Sequence, residues 1–394
     1  MTIDPLASPL TEIIVPLDHL RRLTDCCGII QHADHALPRY HTGYATDDNA
    51  RALMAAVKHY RLHHDAVSRE LATRYLAFLT YAQREDGRFH NFFAYDRRPL
   101  DGVGSEDTLG RALQALALLL HSPPYAGLVG AAERLFNTAL PALKQLQHPR
   151  SKALCLLALH QWVQARPEQA GRAGRLATPL ADYLVTRFEE HSRDEWCWIL
   201  PDMTYANGVL PEALFRAHQL TGQPRYLQVA CESLDFFCQV SFRDGLLSPV
   251  GNDGWYHAED KEPPLYDQQP IDAAAMVEAA LAGFEVTGEE QYLRIAQASL
   301  AWFFGHNLSG ESLYDPETGG CYDALTARGV NLNRGAESTI CLLLAQLSLR
   351  ETLLRMRVGE RNSAAVGVEQ VPGEGQPNFS SAGAAEAVCL GRRA

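Results

Sequence analysis

No stretch of the 394 residues approaches the roughly 18 consecutive apolar residues that a membrane-spanning helix needs. The start, Met1 to Pro16, has no basic segment leading into an apolar one, so no secretion signal is expected. Positive charge is scarce. Against 47 Asp+Glu there are only 35 Lys+Arg, a formal net charge of -12 at pH 7, and no basic run stands out. Such a surface repels phosphate backbones, which argues against a nucleic-acid partner. There is no CxxC pair for a zinc knuckle, no GxGxxG or GxxxxGK[ST] for a nucleotide, and no GxSxG elbow for a serine nucleophile. The pair His32 and His35 has metal-ligand spacing but no third ligand, so neither a metal nor a cofactor is expected. The cysteines number nine, an odd count, and are scattered, several within apolar helical patterns. They read as free thiols in a reducing compartment, which places the protein in the cytoplasm.

What the sequence does have is helix periodicity. Hydrophobic residues make up 46%, and Ala and Leu recur at three- and four-residue spacing. Six stretches repeat one design, a polar loop leading into a strongly apolar helix. They open near Asp48, Glu106, Arg150, Asn207, Ile271 and Arg334. Between them run helices with a wider polar side, near 67–83, 131–147, 176–190, 224–240 and 289–305. A helix buried nearly all round belongs inside a bundle, and a half-polar one belongs outside. The expected fold is therefore all-α, an (α/α)6 toroid of six helical hairpins with an inner and an outer ring. The sixth outer helix is either 17–26 or 350–357. An open solenoid is the competing architecture, disfavoured by long, unlike loops. The toroid is expected to occupy 1–358 as one domain, and the Gly-, Pro-, Ser- and Ala-rich stretch 359–394 to be a disordered tail.

Acidic residues gather where the inner helices begin. Asp47 and Asp48 open the first, Glu106 and Asp107 the second; Asp202 precedes the fourth, Asp267 and Asp272 flank the fifth, and Glu337 opens the sixth. If the hairpins close into a ring, these carboxylates converge on one mouth. Helix N-termini favour acids for capping alone, so any single one is most simply a cap. The set is harder to explain that way, because the same loops carry His41, Tyr205, Trp255 and Tyr256. Aromatic faces and polar rims suit sugar rings. The amides of Asn207, Gln268, Gln269 and Asn333 can bridge neighbouring hydroxyls, and Arg51 and Arg334 can pair with the acids or hold an anion. Paired carboxyls, one a proton donor and one a base or nucleophile, are what glycoside hydrolysis requires.

The segments GIIQHADHALPRYHTGYATDDNARAL, GVGSEDTLGRAL, DMTYANGVLPEAL, GNDGWYHAEDKEPPLYDQQPIDAAAM and NLNRGAESTICLLL resemble the α/α-toroid region of bacterial proteins often labelled glycosyltransferases. In some of those the toroid follows a nucleotide-sugar transferase module, which this chain lacks; a separately encoded one is a conceivable partner. The toroid itself is similar to six-hairpin glycosidases and to N-acylglucosamine 2-epimerase-like barrels. The resemblance implies a substrate site where the inner helices begin. Matching motifs carry Asp47, Asp48, Arg51, Glu106, Asp107, Asp202, Tyr205, Asn207, Trp255, Tyr256, Asp267, Gln268, Gln269, Asp272, Asn333 and Glu337.

The expected function is a carbohydrate-active enzyme, an inverting glycoside hydrolase on gluco- or manno-oligosaccharides. Its acid is sought in Asp202 or Glu106 and its base in Asp48 or Glu337. A sugar phosphorylase, an epimerase or isomerase working through His257 or His306, and a non-catalytic sugar-binding module are the alternatives.

Overall fold

The computed structural model describes residues 16–366. The chain divides into two compact units, Met1–Leu353 and Leu354–Ala394, and the ring contacts and the candidate site described below lie in the first. Twelve α-helices run through the described residues: α1 (Asp18–Leu23), α2 (Thr46–His63), α3 (Ala66–Ala82), α4 (Glu106–His121), α5 (Val129–Ala139), α6 (Pro149–Ala165), α7 (Ala170–His191), α8 (Val209–Thr221), α9 (Pro224–Ser241), α10 (Pro270–Thr287), α11 (Glu290–Trp302) and α12 (Ala336–Val366).

Even-numbered helices form the inner ring. Each packs on the next even-numbered helix, α2 on α4, α4 on α6, α6 on α8 and α8 on α10. The ring closes through α12: Ser348 bonds Glu278 of α10, while Glu337 and Ser348 bond Arg51 and Lys58 of α2. Close approach needs small residues. A Cβ on Gly110 of α4 would stand 2.6 Å from Leu154 of α6, and one on Gly208 would stand 2.2 Å from the Ala275 carbonyl of α10. The fold is the all-α (α/α)6 toroid.

Local chemistry sets the helix ends. Asp65 and Ser105 cap α3 and α4 by accepting from Ser68 N and Thr108 N. Pro opens α6, α9 and α10, where its missing N–H costs nothing. Gly222 and Gly288 end α8 and α10 at φ 70° and 74°, a left-handed turn that side chains disfavour.

The helices α3, α5, α7, α9 and α11 keep one solvated face and pack outside. The sixth outer place belongs to short α1, which buries His19, Leu20 and Leu23. His19 donates to the carbonyl of Arg334 at 2.8 Å, and Thr24 bonds the Tyr75 hydroxyl of α3 at 2.7 Å. Segment 350–357, the other candidate, is simply the continuation of α12. The second outer helix is shorter than its periodicity predicts: α5 stops at Ala139 and tightens into a 3-10 turn over Leu140–Gln145, where Pro141 cannot donate to a preceding turn. α12 runs to Val366. Residues 367–394 lie outside the described residues.

Two-residue strands stitch the loops on the side where the inner helices begin. β1 (Tyr44–Ala45) pairs with β2 (Phe92–Phe93), and β3 (Asp202–Met203) with β4 (Tyr256–His257). No described helix is long and apolar enough to cross a membrane.

Candidate active site

The inner helices run parallel, so their first turns share one rim. At the seam of α12 and α2, one guanidinium organises three carboxylates. Arg51 donates from Nε to Asp47 at 2.7 Å, and from one terminal nitrogen to both Asp48 at 3.0 Å and Glu337 at 2.8 Å. Asp47 and Arg51 lie one helical turn apart on α2, the spacing that brings side chains together. The guanidinium is buried, and the side chain of Glu337 is 45% exposed, so the cluster opens to solvent through Glu337.

Burial pushes the Asp48 carboxyl up to about 8. Arg51 opposes the shift, but its charge is shared with Asp47 and Glu337, whose negative charges push the same way as burial. Burial thus favours the neutral form of Asp48, beside an ion-paired Glu337. Burial works against the charge of Arg51 too, yet the surrounding carboxylates hold its pKa well above the ordinary value.

A second group lies at the seam of α4 and α6. Asp107 accepts from Ser151 Oγ and, at 3.5 Å, from the Tyr205 hydroxyl. Arg150 stands 3.8 Å from Asp107 and stacks on the Tyr205 ring at 3.7 Å. Arg111, one turn below Asp107 on α4, reaches within 4.0 Å of Asp47 and links the two groups.

Several expected site residues are occupied with holding the rim. Glu106 caps the approach to α6: its carboxylate accepts from the backbone N–H of Gln147 and His148 at 2.9–3.0 Å. Asp272 reaches from α10 to the loop before α8, where it accepts from Ala206 N at 2.7 Å. Its carboxyl is pushed up to about 8 by burial, and its second oxygen has no partner. Asn207 closes a turn on Thr204, and Gln268 is a core amide joining Trp302, Ser248 and the Leu265 carbonyl. Arg334 bonds Tyr322 at 2.8 Å and pairs with Asp315. Gln269 precedes α10 and its carbonyl accepts from Asp272 N.

Others stand apart. Asp202 sits in β3, and its carboxylate takes none of the contacts of the Arg51 cluster. Tyr256 packs on Trp196 with ring centroids 5.2 Å apart, and His257 and His306 are exposed. His41 lies on an exposed 3-10 turn. Trp255 and Asp267 occupy left-handed backbone at φ 58° and 57°, and Asp267 lines a surface groove of about 370 Å³ with Tyr266 and Arg328.

Sequence reasoning missed Asp323. It accepts from Asn333 Nδ2 at 2.9 Å, and burial raises its pKa, with Glu337 adding to the rise. Asn333 in turn lies 3.2 Å from His32 Nδ1 and accepts from Ala33 N. Asp323 precedes no helix, so no N-terminal pattern marks it. Arg111 was missed too, as a polar residue in an apolar helix. Among the described residues, no group of three or more His, Cys, Asp and Glu side chains is placed to hold a metal ion.

No family model matches the sequence, and no curated protein matches it. Solved structures share the fold. A D-mannose isomerase matches with TM-score 0.68 at 14% identity, over 89% of this chain and 99% of that one. The cellobiose 2-epimerase of Bacillus thermoamylovorans matches with TM-score 0.66 at 14% identity, over 85% and 95%. A GH76 α-mannanase of Bacteroides thetaiotaomicron matches with TM-score 0.59 at 10% identity, over 86% and 93%.

Proposed function

We propose that the mouth of the ring is the active site of a carbohydrate-active enzyme that hydrolyses glycosidic bonds. The observation that carries this is the pair held by Arg51: a buried Asp48, whose carboxyl burial pushes up, beside an ion-paired Glu337 that faces solvent. Two oxygens at 3.0 and 2.8 Å from one nitrogen can be no farther apart than those distances laid end to end. That falls short of the roughly 6.5–9.5 Å that inversion leaves for water, and lies nearer the roughly 5–5.5 Å of retaining pairs. For this pair the expectation of inversion gives way to retention. Asp48 gives its proton to the leaving oxygen while Glu337 attacks the anomeric carbon. Water, deprotonated by Asp48, then releases the sugar. Glu106 leaves the list of acids, because its carboxylate is engaged by backbone donors. The fold neighbours support the substrate class, since those named above are an isomerase, an epimerase and a mannanase acting on sugars. The free cysteines fit a cytoplasmic protein.

The test is turnover of gluco- and manno-oligosaccharide panels followed by NMR. Early product with the substrate's own anomeric configuration, lost in Glu337→Gln, supports the proposal; no turnover on any panel rejects it. A second reading, epimerase or isomerase, is favoured by the higher TM-scores of the epimerase and isomerase structures and by His32 at the rim beside Asn333. Deuterium taken from solvent into a monosaccharide without bond cleavage selects it.

A further inference from the structure

The loops that lead into α10 and α12 lie on the same side as the rim, and between them runs the surface groove of about 370 Å³. Asn252, Asp253, Tyr266 and Asp267 form one wall, and Thr326, Ala327 and Arg328 form the other. Backbone contacts fix both walls. Gln268 and Leu325 exchange N–H···O=C bonds at 3.0 and 2.9 Å, which joins the first loop to the hairpin of Leu325–Thr326 and Gly329–Val330. The Asn252 N–H donates to the Asp267 carbonyl at 3.1 Å, and Gly251 lies so close to Tyr266 that a Cβ would stand 1.9 Å from its carbonyl oxygen. The groove is therefore built before any ligand arrives, which lowers the cost of binding.

Its polar groups are unspent. Among the described residues, no hydrogen bond or ion pair engages the carboxylates of Asp253 and Asp267 or the guanidinium of Arg328. Asn252 Oδ1 has no donor, a cost of about 1–3 kcal/mol that a turn of this half-exposed side chain toward a ligand hydroxyl removes. Tyr266 is 40% exposed. Arg328 repels a metal cation here, and Asp253 and Asp267 repel an anion. A neutral molecule rich in hydroxyls uses every group: it gives to the carboxylates, takes from Arg328 and lays a ring face on Tyr266. The volume stands near the low end of small-ligand sites, about 300–1,000 Å³, and so has room for a short piece of a sugar chain.

The hairpin also ties the groove to the Arg51 cluster. Its base is Asp323, which accepts from Asn333 at 2.9 Å just ahead of Glu337. From Asp323 the chain reaches Thr326 within about 11 Å even when fully extended. Both places open to solvent, the cluster through the 45% exposed side chain of Glu337 and the groove at the surface. No residue of the cluster lines the groove, so a ring in one is a different ring from that in the other.

We propose that the groove holds a later ring of the oligosaccharide whose scissile bond lies at the Arg51 cluster, so that the protein selects chains of three or more sugar units. The inference rests on the mouth being a sugar site.

The test is calorimetric titration of the full chain carrying Glu337→Gln, which stops turnover, with gluco- and manno-oligosaccharides of two to five units. In one series, four units are expected to bind at least about tenfold more tightly than two. Adding Tyr266→Ala and Arg328→Ala together brings that ratio to within about twofold of unity, with two-unit binding held and the melting temperature near the parent's, because both residues are exposed. Should the combined variant fail to fold, each single substitution asks the same question. Equal binding at every length overturns the inference, as does a length preference that survives the substitutions, or no binding of any chain. Length-dependent binding that the substitutions abolish, with no cleavage by the parent, leaves this inference standing and rejects hydrolysis alone. Cleavage by the parent with a KM that does not change with length does the reverse.

Discussion

At the α12–α2 seam, Asp47 and Asp48 open a helix and turn inward onto Arg51, where Glu337 joins them. At the α4–α6 seam, Glu106 and Asp107 open a helix with the same acid-acid pattern. Glu106 turns sideways onto backbone N–H groups, and Asp107 onto a serine and a tyrosine. The sequence grammar is alike and the outcomes differ, because the neighbour decides. Arg51 is a buried cation that draws carboxylates to itself. Gln147 and His148 are exposed loop residues whose N–H groups precede a helix that Pro149 opens and that His148, its own N-cap residue, does not cap. An acid at a helix start joins a charged cluster where a buried cation lies within reach, and holds the backbone where free N–H groups do.

That contrast breaks most visibly at Arg51. Arg51→Met leaves three carboxylates facing one another, and should cost about 3–5 kcal/mol in urea unfolding along with all activity. Next is Glu337→Gln, expected to lower kcat by about 10²–10⁴ with a melting temperature near the parent's, because its side chain is half exposed. A large loss of stability there would mean that Glu337 serves the fold instead.

The pH dependence separates the seams more gently. Asp48 is raised from an ordinary 3.8 to about 8, so the folded protein holds a proton that the unfolded chain releases. The stability it supports is complete below about pH 4 and is lost as pH climbs to about 8. Asp272 and Glu212, both also raised to about 8 by burial, act in the same direction. Melting temperature should fall between about pH 5 and 8.5, and Asp48→Asn should flatten part of the slope. Activity should drop on the alkaline side near pH 8 as the proton donor empties. A flat profile would place the working proton elsewhere. The smallest effect belongs to Glu106→Gln, expected to cost about 1 kcal/mol as a lost cap and to spare kcat. A collapse of kcat in that variant would erase the distinction between the two seams.

Much of the architecture was legible because burial leaves a periodic trace. The apolar run after Glu106 became α4, and the one after Ile271 became α10, each within a residue or two. The site was legible in part. Asp47, Asp48, Arg51 and Glu337 were all marked by their place at helix starts. Nothing in the pattern told Glu106 from Asp48, because each acid pair has an arginine about one turn on, Arg51 or Arg111, while the backbone N–H groups that take Glu106 lie 41 and 42 positions away. Asn207 and Gln268 have the amides of a sugar binder but spend them on turns and the core. Gln114, Glu212 and Glu278 were invisible for the opposite reason: inside apolar helices, such residues read as solvent-facing.

The bond between Arg51 and Glu337 spans 286 positions of the chain. During synthesis α2 emerges well before its closing partner, which follows 286 positions later. Loop-closure entropy makes that final pairing late and slow. A prematurely terminated product lacking α12 would expose the flank of α2 and the buried guanidinium together, a surface that quality-control proteases can distinguish from the finished molecule. The Arg51 cluster is thereby complete only once the circle closes.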